Sequence, residues 1–440
     1  MSIRLPIRTL PDPKTAGEGK LDPLGLGTVG EHLADRILPG LTARMLRPRF
    51  LTAMAVCAAV CEGLEDEIAK DGVSTAPLVF EWLMVEAFAR RGDSEKRKNT
   101  PGIGKAADAL RDGISMSAGA YLKTPNVFGF NGVYKRAARF VGIVDDELRL
   151  CDHGHALVKT WEREQGLEGF LSAEGAGSSG PRYVLRQAVE KGLSDGYTKY
   201  SSQWQGWSLL AEHLLPGNIG REEGRFLRDV LSLPHDEPIS GEITEHFGHK
   251  SLLRSLLALD DEHSMLEATR PRLSKDLADR FHAIGAYEHF ATELELVFER
   301  LRYYSTAAGA RAISASDSVV RSALEESAAR LPVVLREADE VIQRGPPELG
   351  SLFAALSDHF SDVRDADSLY QALLSRHREV QRAKPPDGKR EWFERGADDS
   401  IFVRPAYRLT SPPERRAGWG RPYRLFALRA FSRDLAEALQ

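Results

Sequence analysis

Residues 100–161 read TPGIGKAADALRDGISMSAGAYLKTPNVFGFNGVYKRAARFVGIVDDELRLCDHGHALVKTW. Thr100-Pro101 opens a helix, with threonine as N-cap and proline at the first helical position, and Ile103, Ala107 and Leu110 line its inner face. The segment 114–123 is helical by pattern. Thr124-Pro125-Asn126 then breaks the chain before a helix over 132–141. In that helix Val133, Ala137, Phe140 and Val141 face inward, which leaves Lys135, Arg136 and Arg139 outward. Gly142 ends it, Ile143-Val144 and Leu148-Arg149-Leu150 read as two short strands around Asp145-Asp146-Glu147, and a last helix follows. The succession is the outline of a winged helix-turn-helix, and its outward cations suit a phosphate-lined groove. The acidic wing tip repels a phosphate backbone, and winged helices also dock proteins, so both uses stay open.

Working outward, residues 28–38 have helical spacing until Pro39-Gly40 interrupts. Arg44, Arg47 and Arg49 follow, readable either as phosphate ligands or as caps and ion pairs at a helix junction. Segments 50–70 and 77–91 read as two helices, the second with Leu78, Trp82, Val85, Phe88 and Ala89 on one face. Residues 174–180 (EGAGSSG) form a Gly/Ser linker. Helical patterns continue over 182–193, 203–215, 221–232 and 241–259. The longest, 273–304, carries Leu277, Phe281, Ile284, Tyr287, Phe290, Leu294, Val297, Phe298 and Leu301 at three- and four-residue steps. Further helices are expected at 316–330, 332–343, 349–360 and 368–382. Segments 401–410 and 421–430 alternate as two strands of a hairpin joined by SPPERRAGWG.

The expected fold is therefore mainly α: a helical multidomain protein with a winged helix-turn-helix-like module and a C-terminal β-hairpin. Its expected parts are an extended arm over 1–27, a helical and winged-helix-like domain over 28–173, a helical domain over 181–383, and a basic hairpin tail over 384–440. A chain of 440 residues exceeds what one core usually organises.

With 42% hydrophobic and 28% charged residues the chain is of globular composition. The longest apolar run, 50–61, is too short to span a bilayer, and the amino terminus lacks a secretory signal, so a cytoplasmic location without membrane contact is expected. The net charge of −5 argues against a uniformly nucleic-acid-coating protein. Charge is uneven, however: residues 376–433 hold fifteen Lys/Arg against seven Asp/Glu. There Trp392, Phe393, Tyr407, Trp419 and Tyr423 interleave with Arg404, Arg408, Arg415, Arg416, Arg421 and Arg424. Such a set suits stacking on bases and gripping a backbone; equally it suits a hairpin docked on the helical domain.

No reaction is legible. Cys57 and Cys61 have helical spacing inside an apolar run and read as small core residues. Cys151, His153 and His155, and the pair His246 and His249, offer metal-ligand atoms without the converging third and fourth ligands a zinc site needs, so no metal and no cofactor is expected. Phosphate-loop, dinucleotide and nucleophile-elbow motifs do not occur.

At Leu24-Gly25-Leu26-Gly27, Leu38-Pro39-Gly40-Leu41-Thr42 and Arg47-Pro48-Arg49-Phe50 the amino-terminal third resembles a group of bacterial proteins of unknown function found near antiviral-defence and DNA-modification genes. Pro101-Gly102-Ile103-Gly104 and Ala286-Tyr287-Glu288 are similar in flavour. The resemblance implies a cytoplasmic component of a DNA-targeting defence system and carries no catalytic residues. The leading expectation is a non-enzymatic subunit that binds or senses duplex or single-stranded DNA alongside other protein subunits. Lys135, Arg136 and Arg139 would form one wall of the contact surface and the basic tail the other. The alternatives are a structural adaptor that assembles partner proteins and a nucleic-acid-processing enzyme with an unrecognised active site.

Overall fold

The computed structural model describes residues 22–172, 180–232, 238–307, 312–385, 387–396 and 398–440. Of the expected amino-terminal arm, residues 1–21 lie outside them, as do 174–179 of the expected linker. In chain order the first helices are α1 (Gly27–Ile37), α2 (Phe50–Val60), α3 (Ala76–Arg91), α4 (Ile103–Arg111), α5 (Pro125–Phe128), α6 (Phe130–Phe140) and α7 (Asp152–Glu164). Then come α8 (Pro181–Asp195), α9 (Gln205–His213), α10 (Arg221–Ser232), α11 (Pro238–Gly248), α12 (Lys250–Leu256) and α13 (Glu262–Thr269). The last are α14 (Lys275–Ala307), α15 (Ser318–Ile342), α16 (Pro347–Ser357), α17 (Ala366–Ala383) and α18 (Leu425–Ala438). Two small antiparallel pairs complete the described residues: β1 (Met116–Ser117) with β2 (Tyr197–Thr198), and β3 (Phe393–Arg395) with β4 (Ile401–Val403).

The chain divides into two compact units, neither continuous in sequence. The first comprises Met1–Ala34 and Ser274–Tyr423, the second Asp35–Leu273 and Arg424–Gln440. The backbone therefore passes between them three times.

In the second unit a helix apolar on every side has one stable place, the interior. All eleven residues of α2 (FLTAMAVCAAV) are buried, and α3, α6, α7 and α8 pack around it. Cys57 and Cys61 belong to this core, where burial pushes the Cys57 thiol up and keeps it neutral. The first unit is built on α14, whose thirty-three residues begin two residues after the expected spine and end three residues beyond it, and which packs against α15. On α17, buried His377 donates from Nδ1 to the Pro23 carbonyl (2.8 Å) and accepts the Trp392 amide at Nε2 (2.9 Å). Burial pushes its pKa down to about 4, so it acts as a neutral staple.

Several local expectations are corrected. The helix expected over 50–70 stops at Val60, where an acidic run and Gly63 (φ +76°) turn the chain. The segment 114–123 is not helical; Met116 and Ser117 pair with β2 instead. The two wing strands reduce to one bridge, Val144 with Leu150. The Asp145 carboxylate takes the amides of Glu147 (3.0 Å) and Arg149 (2.8 Å), so the tip closes as a side-chain-capped turn rather than a ladder. The helix over 241–259 breaks at His249, while 316–330 and 332–343 fuse into α15 with Pro332 inside, because α15 keeps its buried face on α14 through the proline.

At the C-terminus the hairpin pairs 393–395 with 401–403, and the expected strand 421–430 is overturned. Leu425, Leu428, Phe431 and Leu435 recur at three and four residues and are buried along α18. Read only to Ala430, the window is too short to separate that period from alternation.

Candidate functional site

The cations expected to meet DNA on α6 are tied to carboxylates and carbonyls of their own unit. The Lys135 ammonium donates to the Asp146 carbonyl (2.6 Å), Arg136 pairs with Asp35 (2.5 Å), and Arg139 pairs with the Asp146 carboxylate. Lys135 lines a cavity of about 370 Å³ together with Glu65, Glu81, Asp146 and Glu147. Four carboxylates against one ammonium make this cavity acidic.

Glu81 explains how the site is built. It is fully buried on α3 and accepts from the Tyr121 hydroxyl (2.6 Å), the Phe130 amide (3.0 Å), and the Asn131 amide (3.2 Å) and side chain (3.0 Å). Two of those donors are the first amides of α6, so Glu81 caps that helix from a neighbouring one. Burial pushes the Glu81 pKa up, against the pull of these hydrogen bonds. Gly129 leaves it room: a Cβ there would lie 2.2 Å from Glu81 Oε1. The expected inner face of α3 missed Glu81, because a carboxylate in an apolar helix looks like a solvated position until its donors are known.

The C-terminal cations belong to both units. In the first, Arg415 pairs with Glu293 and Glu326, Arg416 with Glu295 (3.6 Å) and Glu299 (3.5 Å), and Arg421 with Glu288 and Glu295 (both 2.8 Å). Glu288, Glu293, Glu295 and Glu299 all lie on α14, so these arginines fasten their loop to the spine. Arg404 is buried, with its guanidinium 5.5 Å from the Tyr407 ring, whereas Arg408 is exposed. Arg424, in the second unit, is buried, pairs with Asp35 and donates to the Leu38 carbonyl (3.0 Å). Of the interleaved aromatics, Trp392, Phe393, Tyr407 and Tyr423 are buried and Trp419 half-buried; Trp392 stacks on Tyr407 at 4.4 Å and Trp419 meets Tyr423 edge-on at 5.0 Å.

A different surface of the second unit gathers positive charge. Arg221, Arg225 and Arg228 on α10, with Lys250 at the start of α12, line a cavity of about 400 Å³. Thr244, Ser432, Leu435, Ala436 and Leu439 complete much of its wall, and no carboxylate is among the described lining residues. Arg221, Arg228 and Lys250 are exposed and Arg225 half-buried. Arg225 pairs with Glu222 at 2.6 Å and Arg228 with Asp229 at 3.3 Å; Glu222 is half-buried and Asp229 exposed, and neither is among the described lining residues.

The helix carrying these arginines is held from behind. Glu223 is fully buried and accepts from Arg49 Nε (3.2 Å) and the Thr52 hydroxyl (2.6 Å). Arg49 also donates from its two terminal nitrogens to the carbonyls of Leu215 and His213, both 2.9 Å. Glu164 on α7 caps α10 through the amides of Glu222 (2.6 Å) and Glu223 (2.8 Å). The positive end of the helix is thus already met, and anions are attracted by its side chains. The range of α10 is legible from its helical period, and arginines at i, i+4 and i+7 on its polar face are the sequence signal for this surface.

At the start of α7 His153 donates from Nδ1 to the Val141 carbonyl (2.6 Å), and His246 lies 3.5 Å from Glu242. Among the described residues no group of three or more His, Cys, Asp or Glu is placed to hold a metal ion, and no helix is long and apolar enough to cross a membrane. No protein-family model, no curated protein and no solved structure matches this chain.

Proposed function

We propose that this chain is a non-enzymatic DNA-binding or DNA-sensing protein whose contact surface is the α10 groove. One observation carries the reading: four cations converge on a cavity whose described lining holds no carboxylate, on a helix fixed by a buried ion pair. Phosphate contacts dominate nucleic-acid affinity, and a cationic wall on a fixed helix suits them, with Arg225 and Arg228 exchanging their partners Glu222 and Asp229 for phosphate. The resemblance of the amino-terminal third to proteins encoded beside antiviral-defence genes supplies the biological setting, a bacterial defence system in the cytoplasm. In this reading the module from α4 to α7 is winged-helix-like and docks a protein partner, since the acidic cavity beside α6 repels phosphate. That is the adaptor function, carried by a different face of the same unit.

The test is a fluorescence-anisotropy titration of the full chain with labelled duplex DNA at several salt concentrations. Four phosphate contacts give a slope of log Kobs against log salt near −3.6, about a hundredfold loss from roughly 50 to 200 mM. Absence of binding at low salt, or affinity independent of salt, overturns the proposal.

A further inference from the structure

We infer that the α10 groove grips the phosphate ridge of duplex DNA and does not read bases, an inference that rests on the nucleic-acid reading of this groove. The first argument is shape. Arg221, Arg225, Arg228 and Lys250 line a concavity. Base edges lie at the floor of the DNA grooves and are reached by an element that protrudes, such as a recognition helix. The convex feature of a duplex is its sugar-phosphate ridge, and a concave cationic wall fits that ridge.

The second argument is spacing. At about 1.5 Å per residue, Arg221 to Arg228 spans about 10 Å of helix axis. One strand of B-DNA advances about 3.4 Å per phosphate along the duplex axis and winds obliquely to it, so along the ridge the row of arginines meets about two phosphates, with Lys250 available to another. The third argument is what the lining lacks. Its described residues include no aromatic ring on which an unpaired base would stack and no Asn or Gln for adenine. The Nε and Nη2 edge of Arg228 is turned to Asp229, at 3.3 Å for both atoms, and is not presented for bidentate pairing with guanine. Its charge still acts on a phosphate, which needs no such fork.

A polyphosphate shares this chemistry, and the experiment separates the sources. The full chain is titrated with two duplexes of unrelated sequence, one matching single strand, and inorganic tripolyphosphate as competitor. The wild type is compared with an Arg225→Gln/Arg228→Gln double variant and an Arg225→Lys/Arg228→Lys double variant. Circular dichroism and the thermal midpoint establish that each variant is folded. The two duplexes should bind within about twofold of each other and the single strand more weakly, with a shallower slope of about −0.7 per phosphate against −0.9. The Gln pair should reduce the duplex slope by about two, and the Lys pair should retain affinity within about threefold.

A tenfold preference for one duplex, or a tenfold loss in the Lys pair, shows base reading and overturns the inference. So does tripolyphosphate binding as tightly as duplex. If duplex binds with a slope unchanged by the Gln pair, the DNA site lies elsewhere: the inference falls and DNA binding by the chain stands. If no polyanion binds at low salt, both fall together.

Discussion

Two cavities of the second unit, similar in volume, carry opposite charge, and neither charge is that of the helix beside it. Helix α6 has Lys135, Arg136 and Arg139 and no carboxylate, yet the cavity it lines is acidic. Helix α10 balances Arg221, Arg225 and Arg228 against Glu222, Glu223 and Asp229, yet its cavity is basic. The sign of a surface is set by what neighbouring elements bring and by which charges turn inward. Asp35 and Asp146 take up the cations of α6, and Glu223 faces Arg49 in the interior of the unit.

The contrast can be broken at its supports. The largest effect is expected from Arg49→Met, which leaves Glu223 buried without its cation and should cost about 3–5 kcal/mol, read from urea unfolding. A midpoint within error of wild type would show that the pair does not hold α10. Next, charge reversal at Arg225 and Arg228 should weaken duplex binding by about a hundredfold at moderate salt, whereas reversal at Lys135 and Arg139 should change it less than about threefold. Equal losses at the two sites would erase the distinction between the cavities.

A smaller effect concerns the cap beneath the acidic cavity. Gly129→Ala places a methyl against Glu81 and the Pro125 carbonyl and should destabilise by roughly 1–3 kcal/mol. The pH dependence sharpens the same point. Because burial raises the Glu81 pKa in the folded state, its contribution is fully present below the ordinary carboxylate pKa and is lost as pH rises through the raised value. Unfolding midpoints of wild type should therefore gain on those of Glu81→Gln as pH falls from neutrality into the carboxylate range; parallel profiles would refute the assignment. The smallest effect belongs to Lys135→Ala with Arg139→Ala, where exposed pairs contribute about 0.2–1 kcal/mol.

The helical architecture was legible because long amphipathic periods are local. The range expected for α10 is the one observed, and α14 differs by a few residues at each end. The sequence reading failed where the deciding partner is remote or the window short. Asp145 closes the would-be wing with its own side chain, Pro332 is tolerated because α14 lies alongside, and α18 shows its period only beyond Ala430. The surroundings of the candidate cations were not legible for the same reason. Counting cations along 376–433 does not reveal that α14 supplies Glu288, Glu293, Glu295 and Glu299 to neutralise them.

The three passages of the backbone between the units bear on how the protein is made. Domains ordinarily fold in turn as synthesis proceeds from the amino terminus. Here residues 22–34 wait for α14 to α17 before their unit is complete, and the second unit, begun at Asp35, is closed only by α18. The second unit therefore cannot be completed until the first has been translated to Tyr423. A ribosome-stalled fragment ending before Arg424 would leave the apolar bed of α18 uncovered, which makes such a fragment a natural client for a chaperone.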